Sequence, residues 1–276
     1  MDGSKTIPPG IDPTKPNVGR IWDYLLGGTE WFEIDKMAAE RLKQLAPELA
    51  EDGVWANRGF LQRSARWLAE KAGIRQFIDI GAGLPTRNNT HEAVHAVAPD
   101  ARVVYVDNDP VICEYSRSLL KDTPNTFYLC ADLEDPDSIL NNSDVRALID
   151  FSQPVGLILA AVVHFVPDER DPWGLLRRYK DALAPGSYVA LSHGTTSRTS
   201  PELVEKATKL YSSASAQLYM RSEEDIERLF EGLELVPPYP GAPATLTYAG
   251  LWGAEVPEDA DSEGSRYWLC GVGRKP

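Results

Sequence analysis

Residues 77–109 read FIDIGAGLPTRNNTHEAVHAVAPDARVVYVDND. The apolar run Phe77-Ile78-Asp79-Ile80 stops abruptly at Gly81-Ala82-Gly83. A helical stretch follows from about Thr86 to Val97 and closes at Pro99. Val103 to Val106 then forms a second apolar run that ends in Asp107-Asn108-Asp109. Strand, glycine turn, helix, strand and acid make the opening half of a nucleotide-binding α/β sheet. Glycine lets the backbone approach a ligand where a Cβ would collide, and a helix N-terminus offers free N–H groups and partial positive charge. An acid at the tip of the second strand can accept hydrogen bonds from both ribose hydroxyls. The glycine pair alone is compatible with an ordinary strand–helix turn; Asp107 at its expected place favours the nucleotide.

Upstream, the polar, proline-rich residues 1–16 lack an apolar core, which argues for a disordered tail and against a secretory signal. Three helices are expected over Val18–Leu26, Phe32–Leu45 and Val54–Ala72, the first stopped by Gly27-Gly28 and the last by Gly73. They precede the first strand, so residues 17–73 are expected to form a helical cap or a flanking layer, with residues 74–276 the nucleotide-binding domain. In the first helix Arg20, Asp23 and Tyr24 cluster beside Trp22. Two readings stand open, a lid closing over the ligand or a helix pinning the N-terminus.

Downstream, Thr126–Cys130 is a third strand, followed by Asp132 and Leu133. The unbroken apolar run Val155–Ala161 suits a strand covered on both faces and leads to His164. Tyr188–Ser192 leads to His193, so both histidines are placed at carboxyl ends of strands, where open α/β sheets bind ligands. The chain closes with strands at Leu233–Val236 and Tyr267–Val272 without a helix between them, which implies an antiparallel partner. No internal repeat is present.

Within the first strand the acid Asp79 stands two residues before Gly81, and Thr86 occupies the place where a dinucleotide fingerprint needs a small residue. Here the sequence resembles the class I S-adenosylmethionine-dependent methyltransferases, whose first motif reads acid-x-Gly-x-Gly. RIWDYLLGGTEWFEID (20–35), ANRGFLQRSARWLAE (56–70), FIDIGAGLPT (77–86), VVYVDNDP (103–110) and FEGLELVPP (230–238) extend the resemblance. They are similar to a bacterial S-adenosyl methyltransferase family long carried as a domain of unknown function. The resemblance implies a doubly wound, mostly parallel, seven-stranded Rossmann-like sheet, with S-adenosylmethionine as cofactor. It further implies that Gly81, Ala82 and Gly83 line the methionine end with Asp79 near the amino group. Asp107 would hold the ribose, Asn108, Asp132 and Leu133 would surround the adenine, and Arg20 or Tyr24 would approach the methionine carboxylate. Asp132 could equally cap a helix beginning near Glu134.

The chain of 276 residues, 43% of them hydrophobic, is enough for one α/β core. Its 41 acids against 28 Lys and Arg give a net charge of −13, which weighs against nucleic acid and for a small-molecule acceptor. Tyr239, Tyr248 and Trp252 in the late loops suggest a small hydrophobic or phenolic one. No window approaches the roughly 18 uninterrupted apolar residues of a membrane span. Cys113, Cys130 and Cys270 lie far apart and read as buried thiols of a cytoplasmic protein.

Histidine suits a general base at neutral pH, so His164 and His193 are the candidate catalytic residues, needed only if the acceptor must lose a proton. His91-Glu92-Ala93-Val94-His95 matches the HExxH zinc signature, but the helix behind the glycine turn must lay its apolar face on the sheet, and a third ligand is missing. Two rival functions remain: a nicotinamide oxidoreductase, against which Thr86 argues, and a non-catalytic sensor of the same cofactor.

Overall fold

The computed structural model describes residues 12, 14–85, 89–197, 199–211 and 216–276. Thr86, with the start of the helix expected there, and nearly all of the expected disordered tail lie outside them. Five strands run parallel: β1 Gln76–Ile80, β2 Arg102–Asp107, β3 Thr126–Cys130, β4 Gly156–Ala160 and β5 Tyr188–Gly194. Three more are antiparallel additions at one side: β6 Glu234–Leu235, β7 Thr247–Tyr248 and β8 Trp268–Arg274. The order is β3-β2-β1-β4-β5-β8-β6, with β7 also on β8.

The sheet therefore has eight strands, one more than expected. The extra strand is the two-residue β7. It pairs with Leu269 and Cys270 of β8, whereas β6 pairs with Gly273 and Arg274. The Pro- and Gly-rich connection thus returns to β8 after β6 has left it.

Alternation along the strands fills both layers, because successive side chains point to opposite faces. Ile78, Val104, Leu157 and Leu191 point to one face, with Leu176, Tyr179, Ile226 and Phe230. That layer contains α6 Pro136–Leu140, α7 Ser143–Leu148, α8 Pro172–Ala182 and α10 Glu223–Arg228. Phe77, Val103, Tyr105 and Ile158 point to the other, with Phe60, Leu68, Val94 and Ile112. These come from α3 Val54–Glu70, α4 Thr90–His95 and α5 Pro110–Leu120.

The N-terminal helices α1 Val18–Leu25 and α2 Glu33–Leu45 share an apolar cluster of their own around Ile21, Leu25, Ala39 and Leu42. Gly27, at φ 75°, stops α1 as expected. Asp35, buried in α2, accepts from the Asn17 and Phe32 backbone N–H groups at 2.8 Å each and from Arg20 Nε at 2.7 Å. One carboxylate thus fixes the chain's entry into both helices. The remaining helices are α9 Pro201–Tyr211 and α11 Pro257–Ala260. No helix among the described residues is long and apolar enough to cross a membrane.

Candidate active site

β1 lies between β2 and β4, and the chain winds outward from it in both directions. Such a reversal leaves a crevice beyond the carboxyl ends of the strands. Here it is a cavity of about 570 Å³, walled by the glycine turn, the tips of β2 and β4, α1 and the start of α3.

The turn is clamped from several sides. Gly81 and Ala82 N–H donate to the Val106 carbonyl at 2.8 and 3.1 Å. Gly83 N–H donates to Asp107 Oδ2 at 3.0 Å, and its carbonyl accepts from the Tyr128 hydroxyl at 2.7 Å. Gly81 is required twice over, since φ is 72° and a Cβ would lie 2.2 Å from a Val162 methyl. Gly83 needs glycine only for its φ of 63°, because a Cβ there meets nothing within 4 Å.

Asp107, at the end of β2, is half-buried on the cavity wall. Besides Gly83, it accepts from the Asp109 N–H through Oδ1 at 3.0 Å. Burial pushes its carboxyl up to about 6, against the opposing pull of the Asp109 and Gly83 N–H groups. Farther along the wall, Asn108 Nδ2 donates to Asp132 Oδ2 at 3.1 Å, beside the buried Leu133. Asp132 Oδ1 accepts from the Glu134 N–H at 2.8 Å. The helix itself begins at Pro136 and is capped by Asp135, so Asp132 closes a local turn rather than capping it.

Several expected residues lie elsewhere. Asp79 is 2% exposed and does not line the cavity. It accepts from the Thr90 hydroxyl at 2.5 Å, and burial raises it to about 6. Arg20 is held by Asp35 and the Lys15 carbonyl, and Tyr24 donates to Glu40 at 2.7 Å. Both therefore point into α2, while Val18, Gly19, Trp22 and Leu26 of the same segment face the cavity. The α1 wall is there, but the chosen side chains are on its other face.

The two histidines also need correction. His193 is fully buried; its Nδ1 bonds to the Gly194 carbonyl at 2.8 Å, and its Nε2 accepts from Arg221 Nη1 at 2.8 Å. Burial, then the Arg221 charge, lowers it to about 3. His164 accepts weakly from the Gly194 N–H at 3.4 Å and lies against Phe165 and Trp268. Burial holds it well below the ordinary histidine range. Neither lines the cavity, and both rings are neutral parts of the packing.

His91 and His95 bond to the Tyr105 hydroxyl at 2.7 Å and the Ala101 carbonyl at 2.9 Å, and Glu92 accepts from the Asn89 N–H. Among the described residues no group of His, Cys, Asp and Glu could hold a metal. Trp252 packs behind α3 against Phe60 and Trp67, and neither it nor Tyr239 nor Tyr248 lines the cavity. Aromatic walls come instead from Trp22, Phe165 and Tyr219. Cys113 and Cys270 are buried thiols as expected, Cys130 half-buried.

Among the cavity residues that escaped the sequence reading are Asn57 and Arg58 in α3. Arg58 has no hydrogen-bond or ion-pair partner among the described residues. Burial lowers its affinity for a proton, and the nearby carboxylates of Asp79 and Asp23 oppose that. A signal was present: Asn57 precedes Phe60, Leu61 and Ser64 by three, four and seven residues, a polar group on the buried face of a helix. The open Gly83 edge, the Asp107 carboxylate and the Arg58 guanidinium set groups of opposite charge type on the wall of one cavity.

No match is found among curated proteins. A candidate methyltransferase from Thermobifida fusca YX is 40% identical, with 99% of each chain covered and a TM-score of 0.88. A DUF574 family protein from Streptomyces avermitilis MA-4680 is 38% identical over 96% of this chain and 99% of that one, with a TM-score of 0.87. The family model described as S-adenosyl methyltransferase matches residues 4–276. The chain belongs to the S-adenosyl methyltransferase family, a methyltransferase family whose cofactor is S-adenosylmethionine.

Proposed function

We propose that this chain transfers the methyl group of S-adenosylmethionine to a small, neutral acceptor held in the same cavity. The observation that carries the reading is the pairing of opposite charges across the glycine turn, Asp107 on the β2 side and the unpaired Arg58 on α3. The cofactor supplies a methyl on a cationic sulfur; the carbon–sulfur bond breaks with its electron pair left on sulfur, while the acceptor's lone pair forms the new bond.

Arg58 takes the methionine carboxylate, the role that the sequence offered to Arg20 or Tyr24. The backbone of Gly81, Ala82 and Gly83 borders the methionine end, and Asp107 accepts from the ribose hydroxyls. Asn108, Asp132 and Leu133 border the adenine. Asp79 acts from behind the wall, holding α4 through Thr90 and adding negative potential near the amino group. Alignment and exclusion of water provide the rate in a direct displacement, and no histidine reaches the reacting atoms. A small acceptor fits an interior cavity, and the acidic chain disfavours a polyanion.

A labelled-methyl screen against metabolite extracts, paired with calorimetry using S-adenosylhomocysteine and NAD, tests this. Binding of the first ligand and not the second, with label entering a small molecule, is the expected result. Binding without any transfer supports the sensor reading instead, and preferential NAD binding overturns both.

A further inference from the structure

Asn57 contributes a donor that neither the fold nor the proposed cofactor contacts use. It is 4% exposed and lines the cavity. Its Oδ1 accepts from Ser192 Oγ in β5 at 2.5 Å, and Ser192 Oγ accepts from the Ala161 N–H at 3.0 Å. Ser192 Oγ thus accepts from the backbone and donates its own proton to the Asn57 amide oxygen.

The amide nitrogen is thereby turned away from β5. It has no hydrogen-bond partner among the described residues, and it is not among the polar atoms sealed in the core without one. Its donors open on the cavity. Ala161, the other end of the relay, holds φ at 54°, a left-handed conformation unfavourable for a residue with a Cβ. Strain of this kind is kept where the surroundings over-determine it, here at the tip of β4.

The neighbouring Arg58 lies near Asp79 and Tyr105, on the β1 and β2 side, whereas Asn57 is tied to β4 and β5. We propose that Asn57 Nδ2 is the specificity contact for the methyl acceptor, donating to a carbonyl or hydroxyl oxygen close to the atom methylated. The donor is neutral, and Arg58, the one cation lining the cavity among the described residues, is engaged by the cofactor. The site therefore selects uncharged, oxygen-bearing small molecules over acids. This rests on the cofactor reading above.

Ligand-observed NMR with benzamide, phenol, benzoate and toluene, on protein saturated with S-adenosylhomocysteine, tests it. Benzamide or phenol should bind the wild type at least tenfold more tightly than benzoate or toluene. Asn57→Asp keeps the oxygen for Ser192 and replaces the donor by an acceptor; it should abolish that tenfold preference while leaving S-adenosylhomocysteine affinity within about twofold. Should Asn57→Asp fail to fold, Asn57→Ser, too short to reach the ligand, should show the same loss. An undiminished preference in a folded variant, a preference for benzoate, or no binding by benzamide and phenol overturns the proposal. So does a tenfold loss of S-adenosylhomocysteine affinity in the variant, which would assign Asn57 to the cofactor. Failure of the wild type to bind S-adenosylhomocysteine would instead remove the cofactor reading itself.

Discussion

Arg58 and Asp107 each carry a separable share of the proposed recognition. Arg58→Met keeps the stem that packs in α3 and removes the charge, so it should weaken S-adenosylhomocysteine binding by about 1.5–3 kcal/mol, the usual worth of a hydrogen bond to a charged group. Isothermal calorimetry reads this directly, and unchanged affinity would return the carboxylate to another residue. Asp107 makes a pH prediction. With its carboxyl raised to about 6 in the free protein, the fraction able to accept from both ribose hydroxyls falls as pH drops through 6. Affinity should decline about tenfold between pH 7 and pH 5. In Asp107→Asn affinity should be low throughout and that slope should vanish. Asp107 was legible in the sequence because a strand tip after a glycine turn has a fixed place in the sheet. Arg58 was not, because the walls that make α3 part of the cavity come from segments distant in sequence.

At the level of elements, α1 shows how a face can be read without its register. The segment is amphipathic on both counts: one side packs on α2 through Ile21 and Leu25, and the other walls the cavity through Val18, Trp22 and Leu26. Sequence offered a lid or an anchor as alternatives, and the element combines a cavity wall with an anchor. Asp35 joins α1 to α2 through the buried Arg20 pair at 2.7 Å and two backbone N–H groups. Removing one partner of a buried pair typically costs about 3–5 kcal/mol. Asp35→Ala should therefore lower the unfolding free energy extrapolated from urea denaturation by that amount and speed proteolytic cleavage within residues 17–53. It should also weaken S-adenosylhomocysteine binding at least tenfold. Retained affinity in a folded Asp35→Ala protein would show that α1 is not part of the site.

For the whole molecule, four buried groups set opposing pH dependences. His164 and His193 have folded values below the ordinary histidine range. Unfolding lets them take up protons, so their contribution is complete above about 6.5 and is lost as pH falls below it, for His193 down to about 3. Asp79 and Asp107, raised to about 6, act the other way: the folded state binds protons first, and stability rises as pH falls from 6 to 4. The pairs offset one another over that interval, Asp107 counting for less because it is partly exposed. Chemical denaturation should show a shallow dependence between pH 6 and 4 and a steep loss below 4. Asp107→Asn removes one opposing group, so its stability should fall more steeply between pH 6 and 4.

The sequence alone determined the five parallel strands, the antiparallel ending, the glycine turn and the acid at the tip of β2. Local propensity, period-two apolar runs and a glycine with positive φ are properties of adjacent residues. Tertiary structure alone decided which arginine faces the cavity, that both histidines are sealed neutral in the packing, and that Asn57 is turned by Ser192 toward the space beside β4. Those outcomes depend on which buried polar groups find partners across layers and which are left facing the cavity, and both are settled only when distant segments meet.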